Sequence, residues 1–122
     1  MKPILLEMEA FESYLEKTTI DFETLNQKGV FLISGNTGAG KTTIFDAISY
    51  ALFGKLSTDQ REKASQVKTI GADNHHCKVV FVFEEKGQRY QITRTPQQRI
   101  KGKKKEYIME QAISELVFLS DP

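Results

Sequence analysis

Gly35, Asn36, Thr37, Gly38, Ala39, Gly40, Lys41 and Thr42 follow one another as G-x-x-x-x-G-K-T, an order suited to wrapping a polyphosphate. The glycines let backbone N–H groups converge on an anion where a Cβ would obstruct the approach. A helix starting there adds the partial positive charge of its N-terminus. Lys41 can reach the β- and γ-phosphates as a point charge, which makes it the candidate catalytic residue. The Thr42 hydroxyl is the expected Mg2+ ligand, and Thr43 can reach the α-phosphate by its amide or hydroxyl. Residues 35–43 therefore predict a site for a nucleoside triphosphate with Mg2+.

Such a loop needs a buried strand before it and an amphipathic helix behind it. VFLIS (residues 30–34) is a continuous apolar run of the kind found in strands buried on both faces. From Lys41 onward Ile44, Ala47, Ile48, Ala51 and Leu52 form one stripe at helical spacing, and Gly54 stands where a C′ glycine would end the helix. Upstream, Ile4, Leu6 and Met8 alternate with polar or outward-facing positions and predict a first strand. TTIDF (residues 18–22) follows as its hairpin partner. Ser57-Thr58-Asp59-Gln60 has capping-box spacing, so a short polar helix is expected up to about Lys68. Residues 78–94 read as an antiparallel hairpin turning at Lys86-Gly87 and closed by Pro96. QQRIKGKKKE (residues 97–106) reads as a polar basic loop, and EYIMEQAISELVFLS (residues 106–120) as a strand. The fold class is α/β.

The chain has 122 residues, enough for one domain or a part of one, with 39% hydrophobic and 27% charged residues. A net charge of +1 gives no global field toward nucleic acid or membrane, so any basic contact is local. One cysteine, Cys77, rules out an internal disulfide and fits a reducing compartment. No apolar run reaches the ~20 residues of a membrane span, and the first residues read as a strand and not as a signal peptide. The expected location is cytoplasmic.

Three further clusters carry competing readings. Val79 to Val82 with Phe83, Glu84 and Glu85 imitates a Walker B strand ending in acids, but the hairpin turn that follows favours an ordinary strand with a charged end. Without that carboxylate the chain holds nothing to orient a water. His75-His76-Cys77 has metal-ligand types, yet adjacent residues seldom share one ion and no second cluster completes four ligands, so a loop entering a strand is expected. Arg99, Lys101, Lys103, Lys104 and Lys105 form an acid-free basic run, either a solvated loop or a phosphate-contacting one. Phe11 and Tyr14 could stack on a base, although core packing is expected for Phe11.

A phosphate cradle serves many chemistries. No N-K-x-D stretch reads guanine; Ala72-Asp73-Asn74 is the nearest approach. Small nucleotide kinases usually open on the cradle strand, whereas two strands precede it here. AFESYLEKTTIDF, GVFLISGNTGAGKTTIFDAISYALFG and KVVFVFEEKGQRYQITRTPQQ together resemble the N-terminal part of the SbcC family, the SMC-like ABC ATPases of a bacterial double-strand-break repair nuclease. The run T-G-A-G-K-T-T-[IL]-[FL]-D-A-I-x-x-A-L-[FY]-G is more specific than the bare cradle pattern. It is also seldom seen in ABC transporter ATPases. The likeness runs from Met1 to about Pro96, weakens through the basic loop and returns in ELVFLSDP.

The resemblance implies that residues 1–122 are the N-terminal lobe of a P-loop NTPase head of ABC/SMC-like type, with a mixed sheet, the P-loop helix and an antiparallel hairpin layer. A glutamine loop, a long coiled coil with a zinc-binding Cys pair and a C-terminal lobe bearing the signature, Walker B and switch residues would follow. It further implies an ATP hydrolase whose heads dimerise around ATP and gate an SbcD-type manganese nuclease on double-stranded DNA, near the nucleoid. This part alone would be inactive. Two departures stand out: Glu12 where the related eukaryotic and archaeal proteins often carry Arg after the matching Phe, and Val67-Lys68-Thr69 where Leu-Arg-Ser is common in the family. A stand-alone P-loop kinase or transferase and a non-catalytic nucleotide-binding module are the alternatives.

Overall fold

The computed structural model describes residues 1–12, 14–27, 38–54, 67–69, 72–102 and 106–119, with the backbone alone at 25–27 and 38–42. Strand β1 (Lys2–Glu9) turns Ile4, Leu6 and Met8 into the core and Glu7 and Glu9 away from it, as the alternation predicts. Strand β2 (Thr18–Asp21) pairs with it antiparallel, Leu6 opposite Ile20 and Met8 opposite Thr18. The expected strand extends one residue too far, because Phe22 opens a short helix, α1 (Phe22–Gln27). Asp21 caps that helix: its carboxylate accepts from the Thr24 backbone N–H at 3.1 Å and the Thr24 hydroxyl at 2.9 Å. Those bonds hold the Asp21 carboxyl below its ordinary range.

Helix α2 (Gly38–Phe53) closes as its sequence predicts. Gly54 takes φ +73° and donates its N–H to Tyr50 O at 2.8 Å, the single bond of a left-handed helix stop. Arg94 reinforces this end, its Nε donating to Ala51 O at 3.2 Å and its guanidinium lying 5.9 Å from the Tyr50 ring centre. A cation there faces the negative end of the helix dipole. Gly54→Ala should therefore cost about 1–2 kcal/mol, since an L-residue is strained at that φ and the new Cβ would stand 3.2 Å from Arg94 Nη1. A drop in the urea midpoint with an unchanged slope would check it.

Strands β3 (Lys78–Glu85) and β4 (Gln88–Thr95) form the expected hairpin. Lys86 and Gly87 both have positive φ, 53° and 79°, the two-residue turn that matches strand twist. Glu84 stands 3.5 Å from Arg89 Nε and Glu85 3.5 Å from the N-terminal amine, so these acids end an antiparallel strand. β1 pairs with β3 on the side opposite β4, Leu6 facing Phe81.

The stretch 97–106 is not a loop throughout. Gln98–Lys101 forms β5, paired antiparallel with β6 (Tyr107–Glu110) as a separate two-stranded ribbon. Its anchor is tertiary. The buried Gln98 amide accepts from Cys77 N at 2.8 Å and donates to Cys77 O at 3.0 Å, as a neighbouring strand would. The expected last strand is likewise two: β6, then β7 (Ile113–Leu119) on the free side of β4. The main sheet runs β2-β1-β3-β4-β7, antiparallel throughout among the described residues. The anticipated cradle strand at 30–34 and polar helix at 57–68 fall outside the described residues, except for Val67 and Lys68 at the end of the second.

The core lies between α2 and the middle of this sheet. Leu6, Met8, Phe11, Phe22, Ala47, Tyr50, Ala51, Cys77, Val79 and Phe81 are all but sealed from solvent. The face of α2 buried most deeply comprises Thr43, Asp46, Ala47, Tyr50 and Ala51, while Ile44, Ile48 and Leu52 pack partly buried beside it. The apolar stripe is thus displaced by about one residue from its expected centre.

Candidate nucleotide site

Residues 38–42 form the backbone of the first turn of α2, so the P-loop's second half occupies the positive end of a helix. No acid lies in that first turn to compete with an anion. Thr43, one residue on, is buried, and so is Asp46. The side chains of Gly38, Ala39, Gly40, Lys41 and Thr42, and all of Gly35, Asn36 and Thr37, lie outside what the structure describes. A helix N-terminus suits an anion, and the hydroxyl oxygen of a threonine such as Thr42 is of the type that Mg2+ takes as a ligand.

Glu12 and the Val67-Lys68-Thr69 stretch meet in space. Ala10 and Glu12 have φ 49° and 48°, flanking Phe11. Glu12 N donates to Val67 O at 2.6 Å, Thr69 N to Ala10 O at 2.9 Å, and Thr69 Oγ1 to Glu12 O at 2.7 Å. Ala10 and Glu12 are therefore zipped to Val67 and Thr69, with Phe11 fully buried, 5.9 Å from the Tyr50 ring. Core packing holds for Phe11, and Tyr14 packs partly buried against the same cluster.

Elsewhere the chemistry-bearing residues are engaged structurally. His76 Nε2 lies 3.0 Å from Glu110 Oε1. Cys77 is buried under the Gln98 clasp, and burial pushes its thiol up to about 12. Among the described residues no group of three or more His, Cys, Asp or Glu is placed to hold a metal ion. Arg99 is not a free phosphate contact: its Nη2 donates to Asp73 Oδ2 at 2.9 Å and its guanidinium lies 4.5 Å from the Tyr107 ring centre. The Asp73 hydrogen bond, then its charge, raises the Arg99 pKa further. Lys68 Nζ donates to Arg99 O at 2.8 Å, while Lys101 is exposed. Lys103, Lys104 and Lys105 fall outside the described residues. Sequence reasoning missed Arg94 as the brace of α2 and the buried Asp46. A carboxylate set among Ile44, Ala47 and Ile48 was the available signal for the latter.

Residues 5–117 match the AAA domain family. The chain belongs to that family. Three proteins similar to this AAA domain each carry the name of the SbcC component of nuclease SbcCD. One from Lactococcus lactis is 43% identical over 104 residues, covering 85% of this chain and 10% of the relative. One from Vibrio cholerae is 42% identical over 106 residues, with 87% and 10% covered. One from Staphylococcus aureus is 43% identical over 94 residues, with 77% and 9% covered. The SbcC likeness drawn from the cradle and hairpin stretches is thereby shown. This AAA domain spans about a tenth of the length of the curated relatives it matches. No helix among the described residues is long and apolar enough to cross a membrane.

Proposed function

We propose that this chain is the ATP-binding N-terminal lobe of the head of an SbcC-type ATPase, part of a DNA-repair nuclease. The observation that carries the reading is the P-loop run entering α2, inside an AAA domain 42–43% identical to SbcC proteins. In this reading the backbone N–H groups of Gly35 to Gly40 would receive the phosphates, Lys41 would set its ammonium against the β- and γ-phosphates, and Thr43 would reach the α-phosphate. Thr42 would hold Mg2+, which would supply neutralisation of phosphate charge when bound. Arg94 and Gly54 fix the far end of the helix whose N-terminus carries this site. In the whole protein, ATP joins two heads and gates a manganese nuclease of SbcD type in the cytoplasm, at the nucleoid.

Glu84 and Glu85 end a hairpin strand, so neither serves in this reading as the water-orienting carboxylate that hydrolysis needs. The isolated 122-residue chain should bind Mg-ATP without turning it over. Steady-state phosphate release from it, above that of a buffer blank, would overturn the reading of an incomplete site.

The β5–β6 ribbon is the proposed double-stranded DNA contact, through Lys101, Lys103, Lys104 and Lys105 and not through Arg99. Each of those lysines changed to Ala should make the negative slope of log K against log salt shallower by about 0.9. Arg99→Ala should leave the slope unchanged, because its charge is already spent on Asp73. A slope change at Arg99 equal to that at Lys101 would reverse the assignment.

A further inference from the structure

The described arginines differ in how their charge is met. Arg89 lies 3.0 Å from Glu23 and 3.5 Å from Glu84, and Arg99 lies 2.9 Å from Asp73. Arg94, half-buried, meets no carboxylate among the described residues. Its Nε donates to Ala51 O and its guanidinium lies over the Tyr50 ring, so its Nη groups find no acceptor there. A carbonyl and a ring offset only part of the hydration that a half-buried guanidinium loses.

Arg94 walls a half-open cleft of about 120 Å³ at the C-terminal end of α2, together with Tyr50 and Gly54 of the helix, Thr95 and Ser114. Ser114 stands directly opposite Arg94 in the β4–β7 register, so both side chains leave the sheet on one face. Tyr50 is 2% exposed, yet its hydroxyl bonds to none of the described residues. Burial raises this phenol above its ordinary range, so it stays protonated and can donate. No acid among the described residues lines the cleft. A volume well under the ~300 Å³ of ordinary ligand pockets admits one small group and not a nucleotide.

We propose that this cleft binds one phosphate-type oxyanion at the end of α2 opposite the P-loop, held by the Arg94 guanidinium and the hydroxyls of Tyr50 and Ser114. The guanidinium fork meets two oxygens of such an anion, and the two hydroxyls, carried on other elements, serve the rest. A carboxylate has no oxygens beyond the first two. The C-terminal end of α2 opposes an anion, but its dipole amounts to only ~0.5 of a charge against the full charge of Arg94. Part of it is already answered by Nε on Ala51 O. With few donors and an open mouth, binding is weak, in the millimolar range.

The test is a titration of the nucleotide-free chain with inorganic phosphate at constant ionic strength, followed by the amide resonances of Gly54, Thr95 and Ser114. Saturable shifts are expected there, and they should persist in Lys41→Ala, which separates this inference from the nucleotide reading. Tyr50→Phe keeps the ring under Arg94 and removes only the hydroxyl, so it should fold as before and weaken phosphate on the order of 10-fold. Arg94→Gln should abolish saturation, with far-UV circular dichroism checking that α2 survives the loss of its brace. If that variant unfolds, Tyr50→Phe decides alone. Free phosphate and a phosphate ester on a larger molecule present the same oxygens, so methyl phosphate is titrated in parallel. Tighter binding of inorganic phosphate would assign the cleft to the free ion, equal binding to the ester, and both support the site. Shifts that never saturate, shifts confined to residues 38–43, equal shifts with chloride, or an unchanged titration in Tyr50→Phe would each overturn it.

Discussion

Replacing Lys41 with Ala in the full-length protein is expected to reduce ATP turnover on the order of 10²–10³-fold while leaving the fold intact. The size follows from where the charge develops. During phosphoryl transfer negative charge gathers on the β–γ bridge and the leaving phosphate, and the Lys41 ammonium is this lobe's one full positive charge assigned to it. The backbone N–H groups of the P-loop and the N-terminus of α2 remain, so residual ATP binding should survive better than turnover. Lys41→Arg is the informative companion. It keeps the charge but puts a planar fork in place of a compact ammonium, and should recover little. Single-turnover and steady-state phosphate release, measured beside nucleotide affinity, separate the two effects. Wild-type turnover in Lys41→Ala would remove the residue from the site.

The second large effect is on stability. Phe81 lies on β3, the central strand of the sheet, opposite Leu6 of β1 and Ile92 of β4. It is sealed from solvent, and its ring centre is 5.5 Å from that of Phe83 in a stacked pair. Phe81→Ala should cost about 3–5 kcal/mol, because the helix and both neighbouring strands cannot all close on the void. That is a large part of the ~5–15 kcal/mol typical of a domain, so the urea midpoint should fall by about 2 M or the chain should fail to fold. Phe118→Ala provides the control. It removes the same atoms from a position open to solvent, and should cost a small fraction as much. Equal losses at the two positions would mean that Phe81 is not the centre of the core.

The parts that could be read from sequence are those governed by local rules. The alternation of Ile4, Leu6 and Met8, the Lys86-Gly87 turn and the Gly54 stop each depend on a few neighbouring residues, and each appears as expected. The Asp21 cap was as local, but Phe22 reads equally well as the end of a strand. β5 escaped for a different reason. Gln98, Arg99 and Lys101 carry no apolar alternation, and their pairing is set by Cys77 and Asp73, more than twenty residues away in the chain. The face of α2 was displaced for a related reason: Tyr50 and Asp46 are buried by what they meet, not by their apolarity. For the nucleotide site, residue types and spacing identify the P-loop, while its side-chain geometry lies beyond the described residues.

The strand order has a consequence for how the molecule assembles. β3, β4 and β7 are joined through a tight hairpin and a moderate connection, so they can find one another early. β1 joins them only by closing the chain over residues 10–77, a slow search whose entropy cost is met before its contacts form. The whole P-loop lies inside that closure. Competence for nucleotide is therefore expected to arrive in the final kinetic phase, together with β1. In a refolding experiment ATP would then act as a late reporter, silent while circular dichroism already records the hairpin.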